Sequence, residues 1–477
     1  MSDVVAVPHK NKKIYYDLSK GIISDSLSSL EKYIQEHNIN SIIDRPSIDD
    51  DEMQGFIFVL TTKCNLNCHY CYSITQNKPL SMQRGDTIKI LEKNIRADSK
   101  YIFINFFGGE PTLKMDLIKE TVEYLKKEVK DKSVFFRIST NGLLNSEDLD
   151  YLIDNNFHIG VSSDGVFDKN SSHIKQRVAQ RIEKTLMHLV KRNAIFSVRN
   201  TVTSDNYNNL NDTIQYWHSI GVKLAHIEPY NPIGVSEKEM SLIPEKQAFI
   251  NSFKNAIDKA TELGMWISNG IYMNLLTPSS YFCTGASGRF KVYNPDGSIS
   301  TCYRVQSFDT PYPDFIIGNW KNDVLDIKWT KNKETLNTHT VDSIKSCGSC
   351  NIKYVCSGGC LMRNFTQNGE VTKPDKWVCG VKQMLLKDAI LKIWEALINK
   401  RKPVVLGIFV FENLFVKNPS ISPINNNNKD KKLSMPPLFI LNNQQQQSTF
   451  DVFESTGINR NDEDTIFNKK ITRSECF

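Results

Sequence analysis

Ten of the eleven cysteines in this chain fall into two spaced groups, and only Cys476 stands apart. The first group, Cys64, Cys68 and Cys71, has a C-x3-C-x2-C spacing on a short polar stretch directly after the apolar run Phe56–Leu60. Three thiolates on one short loop can hold three corners of a cubane iron–sulfur cluster, which leaves one iron open to another ligand. An open iron is a reaction centre rather than a strut. The second group begins with Cys283 and Cys302, the latter five residues after Gly297. It continues as Cys347-x2-Cys350-x5-Cys356-x3-Cys360 and closes with Cys379 after eighteen more residues. Two other stretches suit a bound small molecule. In Phe107-Gly108-Gly109-Glu110-Pro111, paired glycines let backbone approach a ligand, and Glu110 can accept from an ammonium. Ser139-Thr140-Asn141-Gly142 is a polar turn.

The rest of the chain sets the conditions for these residues. The first twenty residues are polar and lack the apolar core of an export signal. A reducing, cytoplasmic setting is therefore expected, where many cysteines argue for metal rather than disulfides. Zinc is the plainer alternative, because C-x2-C suits it. A structural zinc wants four closed ligands, however, and the first loop has three cysteines. No apolar run is long enough to span a membrane; Val404–Val416 is interrupted by Glu412 and Asn413. The net charge of +6, from 59 basic and 53 acidic residues, is too mild to argue for nucleic acid. Neither nucleic acid nor membrane is an expected partner.

The elements that must position these loops read as strand-then-helix repeats. Expected strands are Phe56–Leu60, Tyr101–Phe106, Val134–Ser139, His158–Ser162, Phe196–Val202 and Leu224–Glu228. Helical periods lie near Gln83–Ala97, Leu113–Glu128, Ser146–Asn155, Val178–Arg192, Leu210–Ile220 and Glu245–Leu263. Such repeats imply parallel strands with right-handed crossovers, an α/β fold forming a partial (β/α)6 barrel. Parallel barrels carry their chemistry at the C-terminal ends of the strands, where all three loops fall. The expected organisation has five parts. Residues 1–50 form a leader module with a strand at Lys13–Asp17 and a helix at Ser26–His37, and 51–276 form the barrel. Residues 277–385 form a small cysteine-rich domain, and 386–417 a helix and apolar segment, with a helix read over Lys382–Lys400. Residues 418–477, with their Asn and Gln runs, form a disordered tail. His69 and His158 are read as hydrogen-bonded structural histidines, and the charges on Gln83–Ala97 as a solvated face.

The first loop resembles that of the radical S-adenosylmethionine (SAM) enzymes, whose hallmark is C-x3-C-x-aromatic-C, here Cys64, Cys68, Tyr70 and Cys71. The resemblance implies a 4Fe–4S cluster on those cysteines, with SAM on the open iron. It also implies SAM contacts from Gly108, Gly109, Glu110 and Pro111 on the methionine amine, and from Ser139 and Asn141 on the ribose or carboxylate. Ser162 and Asp164 fall where members of one branch write S-x-D-G, and Arg199 lies where relatives bind the SAM carboxylate. The family's reaction is reductive cleavage of SAM to a 5′-deoxyadenosyl radical, which takes a hydrogen from an unactivated carbon.

The second group resembles, cysteine by cysteine, the seven-cysteine SPASM extension, which holds two auxiliary clusters. By that resemblance Cys347, Cys350, Cys356 and Cys379 enclose one cluster, and Cys283, Cys302 and Cys360 hold the other with one place left over. That place falls to a non-cysteine ligand, water or substrate. Three 4Fe–4S clusters, SAM, a flavodoxin- or ferredoxin-type electron donor and a peptide or protein substrate are thereby expected. The leading expectation is oxidative modification of a peptide or protein side chain, by crosslinking or oxidation. One alternative is a sulfatase-type maturase forming formylglycine. Those enzymes place an aspartate after the second cysteine of the extension, where this chain has Tyr303 and Arg304. The other alternative is a non-catalytic iron–sulfur electron-transfer protein, which has no need of Gly108, Gly109 and Glu110.

Overall fold

The computed structural model of the chain describes residues 4–19, 22–36, 53–75, 79–166, 176–232, 240–269, 279–283, 285–322, 326–398 and 439–441. The chain starts with a small antiparallel sheet of β1 (Val4–His9), β2 (Lys12–Asp17) and β3 (Ile22–Ser24), followed by helix α1 (Leu27–Glu36). The strand and helix expected there are β2 and α1. Strand β1 carries little sequence signal because its outward positions, Ala6 and Pro8, are not polar and mask the period of two. It is an edge strand, where proline is tolerated.

The body is built on six parallel strands in sequential order: β4 (Met53–Thr61), β5 (Tyr101–Gly108), β6 (Ser133–Thr140), β7 (His158–Ser162), β8 (Phe196–Val202) and β9 (Leu224–Pro229). Strand β4 is buried almost throughout, as a strand covered on both faces must be. Between the strands run α2 (Asp86–Asn94), α3 (Met115–Glu128), α4 (Ser146–Asp154), α5 (Gln176–Lys191) and α6 (Leu210–Ser219), with α7 (Lys246–Leu263) after β9. This is the expected open (β/α)6 arrangement. Helix α2 is shorter than its periodicity suggests: Gly85 before it is left-handed (φ 80°) and Ile95 after it is extended. Lys89, Glu92 and Lys93 on α2 are exposed, as a solvated face requires. Strand β10 (Trp266–Ser268) adds one more parallel strand beside β9.

The cysteine-rich region continues this sheet. Strand β11 (Phe290–Tyr293) runs parallel beside β4, and β12 (Ser298–Ser300) and β13 (Ile316–Asn319) extend it antiparallel. One ten-stranded open sheet thus runs from β10 to β13. Gly55 on β4 makes the junction close, because a Cβ there would lie 2.1 Å from the Phe290 ring. Farther on come α8 (Ile327–Thr338), the single turn α9 (Lys353–Cys356), α10 (Leu361–Asn368) and α11 (Lys376–Ile398). Helix α11 starts six residues before its expected start at Lys382. Asp375 Oδ1 accepts from the backbone N–H of Trp377 (2.6 Å) and Val378 (3.2 Å), an N-cap that sets the start and places Cys379 in the first turn.

Helix α11 also explains where the leader module sits. Its Leu385, Leu386, Ala389, Ile390 and Trp394 are buried in one core with Phe249, Phe253 and Ile257 of α7 and Val5, Val7, Ile14 and Tyr16 of the N-terminal sheet. Full burial of each such large side chain contributes about 1.5–3 kcal/mol. Lys12 Nζ lies 5.2 Å from the Trp394 ring centre. The N-terminal sheet is therefore packed against the C-terminal helix. The apolar segment Val404–Val416 lies outside the described residues. So does the tail, apart from Phe439–Leu441, which pairs in parallel with β3 as β14. No helix among the described residues is long and apolar enough to cross a membrane.

Candidate active site

The C-terminal ends of β4, β5 and β6 converge through their backbones. After β5, Gly109 N donates to Thr61 O and Glu110 N to Lys63 O, both at 2.8 Å, so this segment zips onto the stem of the cysteine loop. A Cβ on Gly109 would lie 2.4 Å from Lys63 O and 2.6 Å from Thr62 O. On Gly108, whose φ is 146°, it would lie 2.2 Å from Thr61 O. The close approach that these glycines permit is made here to the loop that carries Cys64.

Glu110 completes the clamp. Its side chain is 1% exposed. Oε1 accepts from Thr112 N (3.0 Å), Thr112 Oγ1 (2.7 Å) and Thr140 Oγ1 (2.8 Å), and Oε2 accepts from Asn141 N (2.7 Å). Burial raises its pKa and these hydrogen bonds oppose the rise. With four protein donors already on it, the carboxylate ties the β5 loop to the β6 turn, and Oε2 alone has one acceptor position left for a ligand.

Asn141 in turn reaches the cysteine loop, with Nδ2 2.7 Å from Asn65 Oδ1 and 3.7 Å from Cys64 Sγ. Cys64 Sγ also accepts from Leu66 N at 3.4 Å. From the far side, Tyr70 donates through its hydroxyl to Asp164 Oδ2 at 2.8 Å. Asp164 Oδ1 accepts from Asn200 Nδ2 at 3.1 Å and Thr201 N at 3.4 Å. The aromatic residue of the loop is thus anchored to β8 through the aspartate after β7. Asn200 carries no sequence signal, since only the pairing of β7 with β8 brings it to Asp164.

A cavity of about 430 Å³ opens beneath this rim. Cys64, Cys68, Tyr70 and Cys71 line it with Gly108, Gly109, Glu110, Ser139, Asn141, Ser162 and Arg199; Pro111 and Asp164 are buried and do not line it. The C-terminal region contributes Cys283, Cys302, Cys356, Cys360 and Cys379 to the same cavity, while Cys347 and Cys350 lie off it. The thiols sort into sets by their mutual charge effects. Cys71 opposes ionisation of Cys64, and Cys360 and Cys283 oppose that of Cys302. Cys356 and Cys350 act on Cys347, and Cys356, Cys347 and Cys350 on Cys379. Burial is the larger cause in each case; it pushes the pKa of Cys302 and of Cys379 up to about 12 and that of Cys347 to about 11. Among the described residues no group of three or more His, Cys, Asp or Glu side chains is arranged to hold a single metal ion. A cubane spreads its thiolates over four irons, wider than the roughly 2.3 Å shell of one zinc. Sets of three and four thiols, beside a third set on the rim, have a donor chemistry that fits such clusters.

Three further features carry no sequence signal of their own. Arg304 places its Cζ over the rings of Tyr72 (5.0 Å) and Tyr303 (5.8 Å), and Tyr303 packs on Phe107 at 4.8 Å. Arg363 donates through Nε to Asp375 Oδ2 at 2.7 Å, with both side chains buried. His226 places Nδ1 2.6 Å from Ser268 Oγ; burial and then Arg199 and Arg137 hold its pKa well below the ordinary value, so it is neutral. His158 is likewise buried and neutral, hydrogen-bonded to Ser197 Oγ at 3.3 Å, a structural histidine as expected. His69 lies 3.9 Å from Asp205 and edge-on to Tyr70.

This geometry has counterparts in known proteins. The sequence description of the Radical SAM superfamily matches residues 58–216. The radical SAM cyclopropyl synthase TigE of Paramaledivibacter caminithermalis is 24% identical over 377 residues, 71% of this chain and 74% of that one. The PqqA peptide cyclase of Bradyrhizobium diazoefficiens is 22% identical, over 66% of this chain and 83% of its own length. Among solved structures, native anSMEcpe with bound AdoMet and Cp18Cys peptide superposes with a TM-score of 0.58 at 18% identity, over 72% of this chain and 99% of that one, a likeness of fold. With the cysteine loop at the end of the first barrel strand and the Gly-Gly-Glu-Pro segment clamped to its stem, residues 58–216 of this chain are a radical SAM superfamily domain.

Proposed function

We propose that this chain is a radical SAM enzyme that oxidatively modifies a peptide or protein side chain. The observation that carries the reading is one shared cavity. The three-cysteine loop, the expected SAM contacts and five cysteines of the C-terminal region all line it. A 4Fe–4S cluster with SAM supplies, when bound, the one-electron cleavage that produces a 5′-deoxyadenosyl radical. The chain's own part is to position and enclose. Glu110 and Asn141 hold the Cys64 end of the loop, and Asp164 holds the Tyr70 end. Aromatic side chains including Phe107, Phe290 and Phe315 line the cavity and keep water from a reactive carbon centre.

Cys347, Cys350, Cys356 and Cys379 would hold one auxiliary cluster, and Cys283, Cys302 and Cys360 the other. Such centres suit removal of the second electron that turns hydrogen abstraction into net oxidation. The likeness to a PqqA peptide cyclase supports this substrate class. Tyr303, packed on Phe107 after Cys302, offers no carboxylate there, which disfavours the formylglycine alternative. The test is anaerobic reconstitution with iron and sulfide analysis, followed by assay for 5′-deoxyadenosine with a low-potential reductant. About twelve irons per chain and SAM-dependent release are expected; a fully loaded protein that releases none would overturn the reading.

A further inference from the structure

Of the three arginines that line the cavity, Arg363 and Arg304 keep very different company. Arg363 has a carboxylate partner: Nε donates to Asp375 Oδ2 at 2.7 Å, and NH1 reaches Tyr230 O and Asn231 Oδ1 at 3.2 and 3.3 Å. Arg304 has none. Among the described residues no carboxylate lies within ion-pair distance of it, and its hydrogen bond is from NH1 to the neutral carbonyl of Asn231 at 3.3 Å. An arginine cannot shed its charge, so a guanidinium set among aromatic rings without an anion is costly unless something supplies one.

The two ring contacts show which side of Arg304 remains for a partner. Its Cζ lies over Tyr72, next to Cys71 of the rim loop, and over Tyr303, next to Cys302 of the C-terminal set. The two rings are themselves 6.3 Å apart, so both lie to one side of the guanidinium, which leaves an edge with the N–H donors not bonded to Asn231 O for recognition. A carboxylate is the group whose two oxygens match that edge as a fork. Arg304 also lies between the two cysteine sets that line the cavity, the position a substrate side chain must reach if both sets act on it.

We infer that Arg304 is a specificity-determining residue that receives a carboxylate of the peptide substrate, borne by an Asp or Glu side chain or by the C-terminus. The inference rests on the peptide-modifying reading above and adds to it the chemistry of the recognised group. Two other anions compete for the same guanidinium: the thiolate-ligated cluster beside Cys302, and the carboxylate of SAM.

The experiment uses the reconstituted full chain, with and without saturating SAM, and three pools of synthetic heptapeptides. One is end-blocked with Asp or Glu at the centre, one is end-blocked with Asn or Gln there, and one has the amide centre but a free C-terminal carboxylate. Retention is measured by equilibrium dialysis with mass spectrometry. The wild type should retain one of the carboxylate pools about ten-fold better than the blocked amide pool, the scale of one charge-assisted fork. Arg304→Gln should bring that ratio to near one, and Arg304→Lys should leave part of it. A wild-type ratio near one overturns the inference, whatever the variants do. So does displacement of the carboxylate pool by saturating SAM, which assigns the guanidinium to SAM. So does an Arg304→Gln protein that keeps the ratio while the reduction potential of an auxiliary cluster moves, which makes Arg304 a counter-ion of that cluster. Release of 5′-deoxyadenosine by the wild type without peptide tests the underlying reading separately, so the two failures are distinguishable.

Discussion

Cys64 sits on the rim loop and is exposed, whereas Cys347 and Cys356 are 8% and 7% exposed and belong to the packed interior. The rim loop is held from outside by hydrogen bonds, through Thr61–Lys63 to the Gly-Gly-Glu segment and through Tyr70 to Asp164. The C-terminal set is held by packing: Cys347 lies among Val341 and Ile344, and Cys356 joins the main core. A thiol clamped by polar contacts at a cavity mouth leaves room for a ligand to approach the centre it holds. A thiol enclosed by aliphatic side chains joins whatever it binds to the folding free energy. The two sets thus differ in setting: the rim set is open to an approaching ligand, while Cys347 and Cys356 of the other are packed into apolar surroundings.

The division makes quantitative claims. Cys64→Ala should reduce SAM-dependent 5′-deoxyadenosine release roughly a thousand-fold while moving the melting temperature of the protein by only about 2 °C. Cys356→Ala should do the reverse, lowering the denaturation free energy of the reconstituted chain by about 2–4 kcal/mol. If both variants melt alike, the contrast between an open and a closed set fails.

Gly109→Ala tests whether the rim depends on its clamp. The added methyl meets the carbonyls of Lys63 and Thr62, which are backbone and cannot swing aside. A loss of roughly 2–3 kcal/mol in stability, with SAM cleavage falling further than stability alone explains, is expected from denaturant titration and kinetics.

Glu110 offers a test through pH. Burial raises its folded pKa above the ordinary 4.5, so the folded chain holds the proton more tightly than the unfolded one. Stability is full below 4.5 and falls as pH rises from there through the raised folded value. Denaturation free energies of the wild type minus those of Glu110→Gln should therefore decline with pH just above 4.5; a flat difference would mean that the carboxylate is not buried as described. The smallest effect is expected of Tyr70→Phe. It removes one hydrogen bond to Asp164, worth about 1 kcal/mol, and should weaken SAM retention only a few-fold.

Much of this was legible from spacing alone. The six barrel strands fall where apolar runs alternate with helical periods; β4 shows it most clearly, because a parallel strand buried on both faces must be continuously apolar. The three cysteines of the rim loop are seven residues apart at most, so one short loop brings them together wherever the fold places it. The same locality failed at β1, where Ala6 and Pro8 hide the alternation. It failed again at the start of α11, where the cap at Asp375 sets a boundary that periodicity does not mark.

By itself, then, the sequence determined the α/β repeat, the two cysteine groups and the loops at the strand ends, since each is written in residues close along the chain. Only the tertiary structure decided what those groups share. The pairing of β11 with β4 makes the cysteine-rich region a continuation of the barrel sheet, and it lets Arg304 reach Tyr72 from more than two hundred residues away. It also turned Glu110 from a free acceptor into a clamp with four donors. Contacts of that span depend on which strands pair and which faces bury apolar surface, and no local spacing encodes either.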